Sequence, residues 1–215
     1  MKAKDVQEGI VNNLFPFLKE NEFRKRKNGF TKQEGDFYSI ILYSWVVGDS
    51  EYPTSFSFWV CSHIVHKIQA LAFGRDIRKD GSMTLVAYTQ SMVFNMKPKE
   101  FHINTNEDII EMCNLVKQYL ETKGFQFFKD YQDYNKILNE MKSIPPGLYY
   151  SLGFSQWALN ALTMSKMLDD PEYSKLASEY INYSETNLAG TDFLLRLKEL
   201  DNFLKTKSSE VLLNY

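Results

Sequence analysis

The sequence predicts an α+β protein: a mostly antiparallel β-sheet packed with helices in the first part, then an all-helical part. Three observations carry this expectation. Ser55-Phe56-Ser57-Phe58-Trp59-Val60 alternates as a half-buried strand does, with Phe56, Phe58 and Val60 on one face. Ile109, Met112, Cys113, Val116 and Leu120 recur at helical spacing behind Thr105-Asn106-Glu107-Asp108, a cap with acidic residues opposing the positive end of the helix dipole. Ser143-Ile144-Pro145-Pro146-Gly147 is the strongest breaker in the chain, and the residues beyond it read as helix.

From the N-terminus, Lys4 to Glu20 forms a helix with Ile10, Leu14, Phe17 and Leu18 near one face; Pro16 inside it predicts a kink or an early stop. Asn28-Gly29 is the dipeptide that two-residue hairpin turns prefer, because both central positions need positive φ. It pairs Phe23 to Lys27 with a strand beginning near Phe30. A turn at Glu34-Gly35-Asp36 leads into Phe37 to Val47, apolar on both faces and so a central strand. Gly48 to Pro53 is a loop, and Ile64 to Phe73 is ordered, either as a continued strand or as a short helix. Arg75 to Ser82 is a turn. Met83 to Met96 resumes strand alternation, with Leu85, Ala87 and Val93 opposite Val86, Tyr88, Met92 and Phe94, until Pro98 ends it. Lys123-Gly124 closes the Thr105-capped helix, and Phe125 to Met141 supplies an aromatic anchor and another helix.

The breaker divides the chain into an α+β domain, residues 1–142, and a helical subdomain, residues 143–215. In the latter, Gln156 to Leu168 and Glu172 to about Ser184 make a helical hairpin around Asp169-Asp170-Pro171, where Asp caps and Pro takes the first helical position. A last helix opens at Asp192 with Phe193, Leu197, Leu200 and Leu204 on one stripe, before a polar tail from Lys205 to Glu210. The stripe is too short for a coiled coil and packs on the hairpin.

A chain of 215 residues is long enough to bury a core without staples. With 16 Phe and 13 Tyr, it favours packing or binding over disorder. A net charge of -2 without long single-sign blocks lacks the basic surplus of a phosphate-neutralising protein, so nucleic acid is not the leading partner. Cys61 and Cys113, far apart and in apolar surroundings, read as buried thiols in a reducing compartment. The first residues lack an apolar signal core, and no apolar run approaches the roughly 20 residues that span a bilayer. The expectation is a cytoplasmic protein without a membrane partner.

Candidate sites are few. Cys61, His63 and His66 are the densest group of soft metal ligands, yet on a continuous strand His66 points away from the other two, and a closed site needs a fourth ligand. Ordinary structural roles are preferred, and neither metal nor cofactor is expected. Arg24-Lys25-Arg26-Lys27, flanked by Phe23 and Phe30, could be a phosphate-binding strip, but on a strand its charges split between faces, as on a protected sheet edge. Glu107, Asp108 and Glu111 could furnish paired carboxylates, although the first two are explained as helix-start charges. The nucleophile elbow, phosphate loop, dinucleotide glycine fingerprint and zincin motif are absent, which points away from an enzyme. Arg24, Arg26, Tyr149, Tyr150 and Trp157 are the candidate interaction surface, with Tyr149-Tyr150 at the seam beside the breaker.

The order of helix, Phe23-Arg24-Lys25-Arg26-Lys27-Asn28-Gly29-Phe30, aromatic strand Phe37-Tyr38, Ser55-Phe56-Ser57-Phe58 and later Phe127-Phe128 resembles a bacterial domain-of-unknown-function family. Its members open with a helix, a basic hairpin ending in Gly and an aromatic, and a β-sheet. The likeness covers about the first 140 residues, implies an α+β domain and carries no catalytic residues onto this chain. Three functional classes remain. The first is a non-catalytic protein-interaction or accessory module, such as an immunity-type partner of another bacterial protein, with self-association as a variant. A small-molecule-binding domain or an enzyme with a nonstandard site comes second, and nucleic-acid binding third.

Overall fold

The computed structural model describes residues 2–47, 51–76, 83–89, 101–143 and 153–215. The fold class is α+β, with an antiparallel sheet in the first part of the chain and helices after it. Contacts gather the chain into two compact units, Met1–Val60 with Ala87–Asp130, and Cys61–Val86 with Tyr131–Tyr215. The chain thus passes between units three times, where a single cut at 142/143 would pass once. The Pro145-Pro146 pair that motivates that cut lies outside the described residues.

In the first unit, helix α1 (Ala3–Glu20) buries Val6, Ile10, Val11, Leu14 and Leu18. Pro16 does not stop it. The proline forfeits one backbone hydrogen bond, but the next turn still buries Leu18 completely, and that apolar contact holds the helix to Glu20.

The sheet comprises β1 (Arg24–Arg26), β2 (Gly29–Glu34), β3 (Phe37–Trp45), β4 (Tyr52–Ser62) and β5 (Met83–Thr89) in that order, with β6 (Phe101–Ile103) antiparallel to the first residues of β4. The sequence does not announce β6, since three residues are too few to show a period. Residues 90–100, which include the expected continuation of the strand to Met96, lie outside the described residues.

The first hairpin corrects the expected turn by one residue. Arg26 pairs with Gly29, so Lys27 and Asn28 occupy the loop, and neither Asn28 nor Gly29 takes a positive φ. Gly29 serves a different purpose: a Cβ there would lie 2.3 Å from the Ile41 backbone oxygen. Glycine is needed because β2 and β3 approach too closely for a side chain. The second turn is as expected. Glu34 pairs with Phe37, and Gly35, at φ +60°, supplies the left-handed first loop residue of a II′-like turn.

One face of the sheet is an aromatic core. Phe30, Tyr43, Phe56 and Phe58 are buried there, with ring centroids 5.8 Å apart for Phe30 and Tyr43 and 6.2 Å for Tyr43 and Phe56. Phe58 reaches Tyr119 at 5.0 Å. Tyr119 ends helix α3 (Asn106–Tyr119), which starts as expected: the Asp108 N–H donates to Thr105 Oγ1, while Asp108 Oδ2 accepts from the Thr105 and Asn104 N–H groups. α3 packs against α1, where a Cβ on Gly9 would meet Ile109 Cδ1 at 2.8 Å.

Lys123-Gly124 does not close this helix. The chain continues through a π-helical segment, Leu120–Gly124, into α4 (Phe125–Asp130). Gly124 takes no left-handed turn; it is buried, and an added Cβ would lie 2.8 Å from Leu120 Cδ2 and 2.9 Å from Tyr119 Cε1. Its small size makes room for those side chains, which sequence cannot distinguish from a helix stop.

The second unit begins where β4 ends. Ser62 Oγ accepts from the Val65 N–H at 3.0 Å, so a cap turns the chain into α2 (His63–Ala72), and Ile64 to Phe73, open between strand and helix on sequence alone, is helical. The other helices are α5 (Tyr134–Ser143), α6 (Gly153–Met167), α7 (Tyr173–Asn187), α8 (Asp192–Lys205) and α9 (Ser209–Leu213). α6 is buried nearly all round, from Trp157 through Met164, because α2, α5, α7, α8 and α9 all pack on it. Phe193, Leu197, Leu200 and Leu204 are buried in the second unit. The polar tail from Lys205 is largely exposed, as expected, and its last residues, Ser209 and Glu210, open α9, capped by Ser208 and anchored by buried Leu212.

Within this apolar packing sits a closed polar network. Asn160, with no exposed surface, accepts at Oδ1 from Gln69 at 3.1 Å and Gln156 at 2.8 Å, and donates through Nδ2 to the Thr84 carbonyl at 2.7 Å. It fixes the register of α2 and β5 against α6, since a buried amide that loses these partners is costly.

Candidate interaction surface

The strand alternation that builds the aromatic core leaves a second face of different character. Arg24 and Arg26 lie opposite Thr31 and Gly29, which in turn oppose Ile40 and Leu42. Gln33 opposes Tyr38. Ser44 Oγ lies 3.0 Å from Ser55 Oγ, which places Ser55, Ser57 and Trp59 of β4 beside the Tyr38, Ile40, Leu42 and Ser44 row. Tyr38, Ile40, Leu42 and Trp59 are each half-buried. Val46 continues the row by one ladder bond, its N–H donating to the Pro53 carbonyl at 3.0 Å, and it is 64% exposed.

At the edge of this face, Glu22, Arg24, Arg26, Thr31, Lys32, Gln33, Gly35 and Tyr38 line an open groove of about 380 Å³. Its charges are unequal in availability. Lys32 takes the nearby carboxylates, bonding Glu22 at 3.0 Å and Glu34 at 3.2 Å. Burial acts to lower the Lys32 pKa, but these hydrogen bonds outweigh it and hold the ammonium above its ordinary value. Among the described residues no carboxylate pairs with Arg24 or Arg26, and both are exposed. The face thus combines an apolar and aromatic row with two fork-shaped cations, the residue types enriched where proteins bind proteins.

The remaining candidates are dispersed. Cys61 is buried at the end of β4, its thiol 3.5 Å from Thr84 Oγ1, whereas His63 and His66 lie on the first turns of α2 with ring centroids 6.5 Å apart. β4 therefore ends between Cys61 and His63, and the three do not share one strand. Among the described residues no group of three or more His, Cys, Asp or Glu side chains is placed to hold a metal ion. Cys113 is buried in α3, and burial pushes its thiol up to about 12. Asp108 is committed to its cap, where the Asn104 and Thr105 N–H groups lower its pKa. Glu107 and Glu111 line a shallow depression with Ile110. Trp157 is only 8% exposed and belongs to the core of its unit, so it cannot contribute to an interaction surface. Tyr149 and Tyr150 lie outside the described residues.

Of the five expected surface residues, Arg24 and Arg26 are on the face. Tyr38, Ile40, Leu42 and Trp59 join them without having been expected there. The available signal is that β3 is apolar on both faces although only one can meet the aromatic core.

No family model, no curated protein and no solved structure matches this chain. Among the described residues no helix is long and apolar enough to cross a membrane.

Proposed function

We propose that this chain is a non-catalytic protein-interaction or accessory module that binds an acidic surface of another protein through the Arg24, Arg26, Tyr38, Ile40, Leu42 and Trp59 face. One observation carries the reading: half-buried apolar and aromatic side chains on the outer sheet face stand in register beside two arginines that no described carboxylate neutralises. An isolated exposed Leu or Ile is ordinary, but a contiguous row bordered by cations has the make-up of an interface core and rim. Two buried thiols that form no disulfide and the resemblance to a bacterial domain family support a role in a bacterial cytoplasm, where an immunity-type inhibitor is one form it takes.

The test is native mass spectrometry of the protein isolated gently from its host, with Arg24→Glu/Arg26→Glu and Trp59→Ala compared against Lys198→Glu on α8. The reading expects a stoichiometric protein partner that the first two variants lose and the third keeps. Retention of that partner by Arg24→Glu/Arg26→Glu, or a chain with no protein partner at all, counts against it. The groove volume, about 380 Å³, falls in the range of small-molecule sites, so a stoichiometric small-molecule adduct would favour the second reading, a ligand-binding domain.

A further inference from the structure

A second pair of arginines lies in the other unit, built by a helix end. α2 closes with a Schellman motif: the Gly74 N–H donates to the Leu71 carbonyl at 3.2 Å, and the Arg75 N–H reaches back to the Ala70 carbonyl at 2.8 Å. Gly74 takes φ +58°, as this motif requires. The reversal brings the Arg75 guanidinium over the ring of Phe73, 5.4 Å from its centroid. Arg196 of α8 reaches the same ring, at 4.9 Å. Together these distances bound the separation of the two guanidinium carbons at about 10 Å.

Two cations on one ring repel each other, and the attraction of a phenyl face for each is modest. Among the described residues neither arginine has a salt-bridge partner within 4.0 Å, and the buried Arg196 Nε has no hydrogen-bond acceptor. Burial lowers the Arg196 pKa, and Arg75 adds to that effect; Glu199 and Asp192, on the same helix, oppose it through space without pairing. Among the described residues, the positive charge at this point, fixed by a helix end and an aromatic ring, has no directly paired carboxylate. We infer that Arg75 and Arg196, held over Phe73, form a binding site for a small oxyanion of phosphate size, bridged by both guanidinium forks. Planar guanidinium groups match phosphate oxygens in pairs, which a lysine in the same place does not.

The inference is tested by titrating the full chain with inorganic phosphate in about 0.15 M chloride, which screens nonspecific attraction, while following the arginine Nε–H resonances by NMR. Saturable shifts confined to Arg75 and Arg196 are expected. Arg75→Gln, at an exposed position, and Arg196→Lys, which keeps the charge, should each weaken binding by about tenfold or more, the loss expected for a charge-assisted hydrogen bond. Arg24→Gln/Arg26→Gln should leave the affinity unchanged, which separates this site from the sheet face. Absence of saturable shifts in the wild-type chain overturns the inference whatever the variants do. So does equal affinity in Arg75→Gln and Arg196→Lys when their backbone spectra remain native.

Discussion

Replacing Gly29 with alanine tests whether close strand approach or turn conformation accounts for that glycine. The new Cβ would stand 2.3 Å from the Ile41 oxygen, 0.7 Å short of the 3.0 Å that Cβ atoms essentially never undercut. The obstacle is backbone, so no rotamer change relieves it, and β2 must move away from β3. Such a movement stretches the adjoining bond from the Tyr43 N–H to the Asn28 carbonyl, now 3.1 Å, beyond useful range. Losing one or two ladder bonds costs about 1 kcal/mol each. Overpacking adds about 1–3 kcal/mol, and the reduced freedom of the unfolded chain returns about 0.4–1 kcal/mol. The net expectation is a destabilisation of about 1–4.5 kcal/mol, centred near 3. Urea unfolding in a Trp157→Phe background reads it, because Trp45 and Trp59 then report on the first unit alone. The midpoint should fall by about 1 M at unchanged slope. A Gly29→Ala protein within about 0.5 kcal/mol of its parent would refute the close-approach argument.

Gly9→Ala should cost less, about 1 kcal/mol or under, because its obstacle is the flexible tip of Ile109; the same urea assay compares the two. Asn160→Ala should destabilise the second unit by about 1–3 kcal/mol, since it removes the acceptor shared by the Gln69 and Gln156 amides and the donor to the Thr84 carbonyl in a buried site, leaving Gln69 its 3.3 Å bond to Thr163; Trp157 fluorescence during unfolding measures it. Asp170 gives an acid-limb prediction. Burial acts to raise its pKa, but the Glu172 N–H, the Lys142 ammonium at 3.0 Å and the Ser165 hydroxyl outweigh burial and lower it. With the folded pKa below the unfolded value of about 3.9, the unfolded chain binds more protons between the two. Stability from this group is therefore present above about pH 4 and is lost as pH falls through the folded value. Thermal melts of Asp170→Asn should show a shallower decline across that window than wild type, and identical slopes would contradict the assignment. Cys113, buried with its thiol raised, should resist alkylation at pH 8 until the chain is denatured, as mass spectrometry of iodoacetamide-treated protein would show.

Elements whose cause is local are legible from the residues. The Thr105 cap needs only the side chains of Thr105 and Asp108 near their own backbone, and the β4 alternation follows from the twofold period of an extended chain. The four-residue stripe of α8 likewise shows its buried face without knowledge of what covers it. Glycine misleads at two places for one reason. Gly29 and Gly124 look like signals of backbone conformation, whereas both are required by atoms distant in sequence or on the next turn. The candidate surface divides in the same way. Arg24 and Arg26 can be read as exposed from the hairpin, but Trp157 belongs to a core because α6 meets neighbours on nearly every side.

The sequence by itself determined the α+β class, the Thr105-capped helix and the alternation of the central strands, because periodicity and that cap depend on side chains within a few positions, whereas the cap expected at Asp170 is replaced by Glu172 without a side-chain bond. Tertiary structure alone decided that 61–86 packs with 131–215, that Asn160 closes a polar network and that Arg75 and Arg196 meet over one ring. These depend on which surfaces come together after long loops close, and neither composition nor period encodes that pairing.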